Sequence, residues 1–362
     1  MTEKDKKVIQ NIEAEIEKIS SKKNRIYFFV IDTKGVPSGS LEYIYRLAYI
    51  LMADGYDVSM LHTEDEFVGV KDWLDNSFAE LPHYNVNSGE VGMSPSDILF
   101  IPEIFAQVMN QTKKFPCKRI AILQNYDFVV EQMPYSAQWG DFGIMDAITS
   151  TNTQGELLNG VFPYVKVTKI DPYISDIYYP TENPKNMVIN IVAKDQSDIK
   201  RIVKPFYWKY PAFKWVSFKE LRGLPETTFA KELRENLATI VCDNDGSIVY
   251  SALEAMKSGS IVFCKTLKND PEWTQKDGKY VNGCIWYDDF DMLHKQIASV
   301  VRSFTTDKLP SVLYDTAKDV VKPYTMKNTK NQILSYVGDV LEKRKNEMAE
   351  LLAQIKSNAE KK

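Results

Sequence analysis

The stretch from Ala238 to Phe263, ATIVCDNDGSIVYSALEAMKSGSIVF, constrains this chain more than any other. It opens with a short apolar run, Ala238–Cys242, of buried-strand character. A polar turn follows, Asp243-Asn244-Asp245-Gly246-Ser247, and then a helix-period stretch with Val249, Leu253 and Met256 on one face. Gly259 lies just past the end of that helix, where a left-handed residue is easily held. A second apolar run, Ile261–Cys264, closes the unit. Strand, turn, helix, turn and strand in so short a span make a βαβ unit, and a βαβ unit implies a parallel sheet. The turn after the first strand sits where open α/β sheets bind ligands. Its backbone N–H groups project from a helix N-terminus, which suits an anionic group such as a diphosphate. Asp245, Gly246, Ser247 and Ile248 are therefore candidate binding positions.

The chain has 362 residues, enough for two such domains, and 44% hydrophobic residues with 12% aromatic, enough for a large core. A net charge of −4 argues against a broad nucleic-acid face and leaves room only for a local basic groove. Cys117, Cys242, Cys264 and Cys284 are far apart and His is scarce, which points away from a zinc site or disulfide framework and towards reduced, buried thiols in a cytoplasmic protein. The start, MTEKDKKVIQ, lacks the apolar core of a signal peptide, and no apolar run reaches membrane-span length. Any membrane contact is expected to be peripheral.

Residues 1–24 form an expected helix, with Ile9, Ile12, Ile16 and Ile19 at helical spacing, packing on the domain or on a second subunit. The first strand, Ile26–Ile31, runs into a loop with Gly35, Gly39 and Ser40 and then a long helix pattern through Leu41, Ile44, Leu47 and Leu51. That loop is neither a dinucleotide fingerprint nor a P-loop, so it reads equally as a tight strand–helix turn or an anion cradle. Tyr56–His62 is the second strand, and His83 falls in a Pro-flanked loop. Asp97–Pro102 is a strand with Glu103 at its carboxyl end, and Lys118–Leu123 another, ending in Gln124 and Asn125. Side-chain amides can bind hydroxyl groups but cannot act as general bases near neutral pH. Strands ending at Ala147–Ser150 and at Val165–Ile170 flank a helix over Thr151–Gly160. Residues 173–186 read as a linker, rich in Pro, Asn and Tyr. The divisions expected are a helical extension 1–24, an N-terminal domain 25–172, the linker, a C-terminal domain 187–322 and a C-terminal helix with a polar tail, 323–362. In the second half, Met187–Val192 leads to Lys194 and a helix with Ile199, Ile202 and Val203 inward and Lys200, Arg201 and Lys204 outward. Phe213–Phe218 reads as the next strand and Glu226–Asn236 as the helix before Ala238.

Glu254-Ala255-Met256-Lys257-Ser258-Gly259 resembles the second half of the donor-nucleotide motif of GT-B glycosyltransferases of the family-4 type, Glu, seven residues, Glu, then Ala-Met-x-x-Gly. The resemblance implies an α/β chain of two Rossmann-like domains facing a cleft, acceptor domain first and donor domain second, with a long C-terminal helix packing back on the first. By resemblance Glu254 accepts hydrogen bonds from the nucleotide ribose, although an ordinary solvated helical Glu is the plain alternative. The motif's first Glu falls on Gly246, and the His that many members place near the transferred sugar is replaced by Gln124-Asn125. Lys194 and Arg201 stand where the family carries cations for the donor diphosphate; Gly35, Gly39 and Ser40 stand where its first loop meets donor and acceptor. The implied reaction is retaining transfer of a sugar from a nucleotide-diphosphate donor to an acceptor hydroxyl, with Gln124 and Asn125 facing the sugar and acceptor, and with neither metal nor cofactor; Glu103, at its strand end, is a further catalytic candidate. Asp243-Asn244-Asp245 and Asp289-Phe290-Asp291 match the D-x-D string that holds a metal in another glycosyltransferase class, a string short enough to arise by chance. A scaffold that has lost catalysis, a phage-type enzyme acting on modified DNA bases, and a sugar epimerase on the same architecture remain as alternatives. The expected partners are the nucleotide-sugar, a glycan or other hydroxyl acceptor, and a second copy of the chain through the terminal helices.

Overall fold

The fold is that of a computed structural model which describes residues 3–89, 91–242, 248–267, 269–281, 283–306, 308 and 311–360. The N-terminal half contains helix α1 (Glu3–Ser20), strand β1 (Arg25–Phe29), α2 (Gly39–Ala53), β2 (Asp57–His62), β3 (His83–Asn85), β4 (Ile98–Pro102), α3 (Ala106–Gln111), β5 (Lys118–Leu123), α4 (Tyr126–Gln132), β6 (Asp146–Thr149), α5 (Asn152–Val161) and β7 (Lys166–Lys169). Its seven strands form one sheet in the order β3-β2-β1-β4-β5-β6-β7, every pair parallel. The C-terminal half contains β8 (Asn186–Val192), α6 (Gln196–Lys209), β9 (Ser217–Glu220), α7 (Glu226–Glu235), β10 (Asn236–Val241), α8 (Tyr250–Lys257), β11 (Ile261–Lys265), the small hairpin β12 (Gln275–Lys276) and β13 (Lys279–Tyr280), β14 (Ile285–Tyr287), α9 (Phe290–Thr305), α10 (Ser311–Val321) and α11 (Met326–Glu360). Its main sheet has the order β14-β11-β10-β8-β9, again all parallel. Both orders are doubly wound, and each reverses direction at one point, between β1 and β4 and between β8 and β10.

The strand residues alternate between two cores, as a pleated strand covered on both faces requires. Ile26, Phe28, Phe100 and Ile122 join α2, while Tyr27, Phe29, Ile101 and Leu123 join the helices of the opposite face. The first of these clusters does not stop at the domain edge. It continues through Tyr173, Ile174 and Tyr178 to Val241, Leu253 and Val262 of the second sheet. One apolar core therefore spans both halves, and the outer face of the second sheet has its own core around Ile191, Phe206, Ile240 and Phe263.

The long helix α11 returns to the first half. Arg344 donates to the carbonyls of Pro95 (3.0 Å) and Pro116 (2.8 Å), and Lys330 pairs with Asp54 at 3.4 Å. The helix α1 lies on α11, with Lys356 and Glu13 paired at 2.8 Å, so the two terminal helices are each other's partners within one chain. Asp171, at the exit of the first half, ties this helix to the crossing segment. Its carboxylate accepts from Asn328 and Gln332 and pairs with Lys169 at 2.7 Å, while its carbonyl accepts from Thr329.

Three local expectations shift. His83 lies in the edge strand β3, three residues long and too short to show a period. The expected strand Phe213–Phe218 begins only at Ser217, because Phe213 closes a turn on Tyr210 and packs inward on Phe206. The helix after β10 begins at Tyr250, with Val249 held in the left-handed region at φ 55° and ψ 60°. That conformation is strained for a β-branched residue.

Replacing Asp171 by Ala removes a buried carboxylate with two side-chain donors and an ion pair. The expected loss is about 2–3 kcal/mol of unfolding free energy, read as a lower urea midpoint at unchanged slope.

Candidate functional site

A cavity of about 430 Å³ lies where the carboxyl ends of the two sheets face each other. It touches both points at which the strand order reverses, the position where open α/β sheets take ligands. The first half contributes the turn Val36–Ser40, Glu42, Trp73, Gln124 and Ser150; the crossing segment contributes Tyr178. The second half contributes Lys194, the loop Leu221–Leu224, Glu226, Phe229, Ile248, Val249, Tyr250, Ser251 and Glu254.

Two helix N-termini meet in this cavity. Ser38 caps α2 by accepting from the Leu41 N–H at 3.4 Å, and the first turn of α8 begins directly opposite. Gly39 is what allows the approach: a Cβ there would lie 3.1 Å from Cδ2 of Tyr250. Each helix start carries partial positive charge and unpaired N–H groups. Two of them aimed at one space favour an anion between them. Lys194 and Arg222 are the cations that line the cavity among the described residues. Arg222 is exposed and has no ion pair among the described residues.

Beneath the cavity floor four charged side chains are buried together. Arg46 Nη2 lies 2.5 Å from Glu42 Oε1, one helical turn away, and 2.7 Å from Glu226 Oε1 of the other domain. Its guanidinium sits 4.3 Å over the Tyr173 ring. Glu254 completes the group on α8. One cation cannot balance three desolvated carboxylates, so some must hold protons. Burial pushes Glu254 well above the ordinary carboxyl range, Glu42 and Glu226 push it further, and Arg46 and a hydrogen bond from Tyr178 oppose this. Burial likewise raises Glu226, to about 7, against the pull of Arg46. Glu254 thus faces the cavity as a carboxyl that favours its protonated form.

At the end of β5 the side chains are engaged by their surroundings. Glu103, fully buried, accepts from the backbone N–H of Gln124 (3.2 Å) and Asn125 (2.8 Å). Burial pushes its carboxyl up to about 7 despite those bonds. Gln124 donates through Nε2 to the Ser40 carbonyl at 3.1 Å, linking the β5 end to the start of α2. Asn125 caps α4 by accepting from the Asp127 N–H. Gln124 lines the cavity, whereas Glu103 and Asn125 stand behind it.

Of the other sequence-derived candidates, Gly39, Ser40, Lys194, Ile248 and Glu254 come together in the cavity. Gly35 shapes the loop, at φ 77°, without lining it. Arg201 is directed away: its side chain is 68% exposed on the outer face of α6, near Asp198 at 3.9 Å. Asp245, Gly246 and Ser247 lie outside the described residues, as does the first D-x-D string. In the second string Asp289 caps α9 and Asp291 pairs with Lys209 and Lys295. Arg222, Trp73, Tyr178 and Arg46 are site residues that the sequence reading missed. Arg222 carried a usable signal, a cation in a loop after a strand; Arg46 carried none, because an i,i+4 Glu–Arg pair reads as a solvated helix face.

By sequence, no protein-family model and no curated protein matches the chain. By structure it is similar to sucrose-phosphate synthase from Thermosynechococcus elongatus, at 10% identity and TM-score 0.62, over 88% of this chain and 99% of that one. It is similar to a glycosyltransferase from Rickettsia africae ESF-5, at 12% identity and TM-score 0.62, over 88% and 98%. It is also similar to an alpha-glucosyltransferase solved with UDP and a 13-mer DNA containing an HMU base, at 12% identity and TM-score 0.57, over 88% and 99%. The chain therefore has the GT-B fold of these proteins, two Rossmann-like domains facing a cleft.

Two outcomes follow from the buried charges. Arg46→Met leaves Glu42 and Glu226 without their cation and should cost about 3–5 kcal/mol. The cost should shrink at mildly acidic pH, where the carboxyls protonate, and urea titrations at two pH values read it. Glu103 binds a proton more tightly folded than unfolded, so its contribution to stability falls as pH rises from about 4.5 through about 7. Glu103→Gln removes that loss, and the stability difference should move in the variant's favour by up to about 3 kcal/mol across that window.

Proposed function

We propose that the protein transfers a glycosyl group from a nucleotide-diphosphate sugar to an acceptor hydroxyl. The observation that carries this reading is the convergence of the α2 and α8 N-termini, with Lys194 and Arg222, on a cavity at both sheet reversals. Two helix starts and two cations match a compact anion such as a diphosphate, and do not make the long cationic band that a duplex requires. The similar alpha-glucosyltransferase was solved with UDP, which supports a nucleotide in the corresponding cleft.

In this reading the bond from the anomeric carbon to the diphosphate oxygen breaks, and the acceptor oxygen bonds to that carbon. Charge builds on the departing diphosphate, where the helix ends, Lys194 and Arg222 stabilise it. Gln124 and Asn125 cannot take the acceptor proton, and Glu103 is turned to two backbone N–H groups, so the proton passes to the departing phosphate oxygen. Such a route delivers the acceptor on the face the donor leaves, with retention, and asks neither a metal nor a cofactor of the protein. Glu254, with its proton, can both accept from and donate to the ribose hydroxyls. The acceptor is a glycan or another hydroxyl compound. A cytoplasmic setting belongs to this reading, and the burial of all four cysteines supports it. Among the described residues no helix is long and apolar enough to cross a membrane.

A nucleotide-binding scaffold without transfer is the second reading. It is favoured by one observation, that Gln124 and Asn125 are both tied into local structure.

Calorimetric titration with UDP, GDP, ADP, CMP and dTDP tests the proposal. One nucleoside diphosphate should bind, and Lys194→Ala or Arg222→Ala should each weaken it roughly 10-fold or more, as loss of a charge-assisted hydrogen bond does. Binding by none of them overturns both readings. Binding without turnover of any sugar conjugate of that nucleotide selects the scaffold.

A further inference from the structure

The segment 199–219 carries six cations, Lys200, Arg201, Lys204, Lys209, Lys214 and Lys219, and no Asp or Glu, in a chain whose net charge is −4. From Phe206 onward, aromatic residues interleave with these cations. The structure sorts them into two layers. Ile202 and Phe206 of α6 are fully buried, whereas Lys200, Arg201, Lys204 and Trp208 are exposed on the opposite face. Trp208 is 75% exposed and Trp215 51% exposed, while Trp73, Trp139 and Trp273 are buried. Trp215 is held on an aromatic base. The Phe213 ring stacks on Phe206 at 6.3 Å and meets Trp215 edge-on at 6.4 Å, and Arg302 adds a further cation 5.5 Å over Phe213.

Facing acids neutralise only part of the charge. Asp291 of α9 pairs with Lys209 and also with Lys295, Glu232 of α7 pairs with Lys219, and Asp198 lies 3.9 Å from Arg201. Lys200, Lys204 and Lys214 have no ion pair among the described residues.

We propose that this corner of the second domain, the outer face of α6 with the turn that follows, docks on the surface of an anionic lipid bilayer. Indole rings settle at the boundary between headgroups and acyl chains, and neighbouring lysines are drawn to anionic headgroups. Exposed Pro211 and Ala212 lie between the two indoles and add apolar contact. Arg and Lys can read guanine, but the segment lacks the Asn, Gln, Asp and Glu that read adenine and cytosine edges, which argues against sequence-specific readout of a nucleic acid. The α6 helix begins beside the cavity, just after Lys194, and ends at Lys209, so the docking corner and the cavity belong to the same domain. The surface does not depend on how the cavity is read.

Flotation with vesicles of phosphatidylcholine alone, or mixed with phosphatidylglycerol, tests this on the full chain. Binding is expected only to the anionic vesicles, and it should fall as salt rises. Lys204→Ala with Lys214→Ala should weaken it roughly 30-fold. Trp208→Ser with Trp215→Ser should weaken it comparably and abolish quenching by bromine-labelled acyl chains. All four positions are exposed, so an unchanged melting temperature confirms that each variant is folded. Absence of vesicle binding, equal binding to neutral vesicles, or full retention by both double variants overturns the proposal. Capture of a single-stranded oligonucleotide without vesicle binding, lost in the same variants, overturns it in favour of nucleic acid.

Discussion

The buried ion cluster around Arg46 is what the rest of the molecule depends on. Arg46 and Glu42 belong to the first domain, Glu226 and Glu254 to the second, and Tyr173 covers the guanidinium from the crossing segment. Desolvated charges of this kind add little net stability compared with an apolar filling, but separating them is costly. The cluster therefore acts on geometry. Only a narrow range of domain orientations satisfies it, and in that orientation the Glu226 N–H also donates to the Trp73 carbonyl at 2.7 Å. The apolar core that crosses the interface supplies the attraction, and the ion cluster supplies the register.

The orientation so set brings two unfavourable features together. Two helix N-termini point at the same space, and Val249 is held left-handed at the mouth of α8. Each costs free energy in an empty site. A bound diphosphate would offset the first directly, by supplying the negative charge both helix ends lack. In the proposed reading the site is organised for a diphosphate in advance, which would lower the ordering cost of binding. Raised carboxyl pKa values at Glu226, Glu254 and Glu103 share one cause, burial without enough cations, and an acid that takes up a proton near a diphosphate would not repel it.

Charge is distributed unevenly over the second domain. The face of α6 that looks away from the core, with the turn after it, combines exposed lysines with two exposed indoles, whereas Lys194, immediately before that helix, lines the cavity. The family resemblance assigns Lys194 and Arg201 to one diphosphate, yet Lys194 precedes α6 and lines the cavity, whereas Arg201 lies on the outer face of the helix. A helix advances about 100° per residue, so neighbours in sequence need not share a face.

The doubly wound architecture was legible in the sequence, because strands with period 2 or continuous apolar runs and helices with period 3.6 are local patterns. The βαβ unit at Ala238–Phe263, the glycine at 39 and the strand ends at Gln124 and Lys194 all lie at the ligand edge that those patterns imply. Elements too short for a period, such as β3, were not legible, and neither was the aromatic packing that turns Phe213 inward. The chain by itself determined which end of each sheet would carry a site and supplied the residue types to build one. Only the tertiary structure decided that Glu254 would be buried near the Arg46 cluster with Glu42 and Glu226, that Glu103 would accept from the backbone of Gln124 and Asn125, and that Arg201 would lie on the outer face of α6. The reason is separation: Arg46 and Glu226 are 180 positions apart, and what brings them together is the packing of two domains, which no local periodicity encodes.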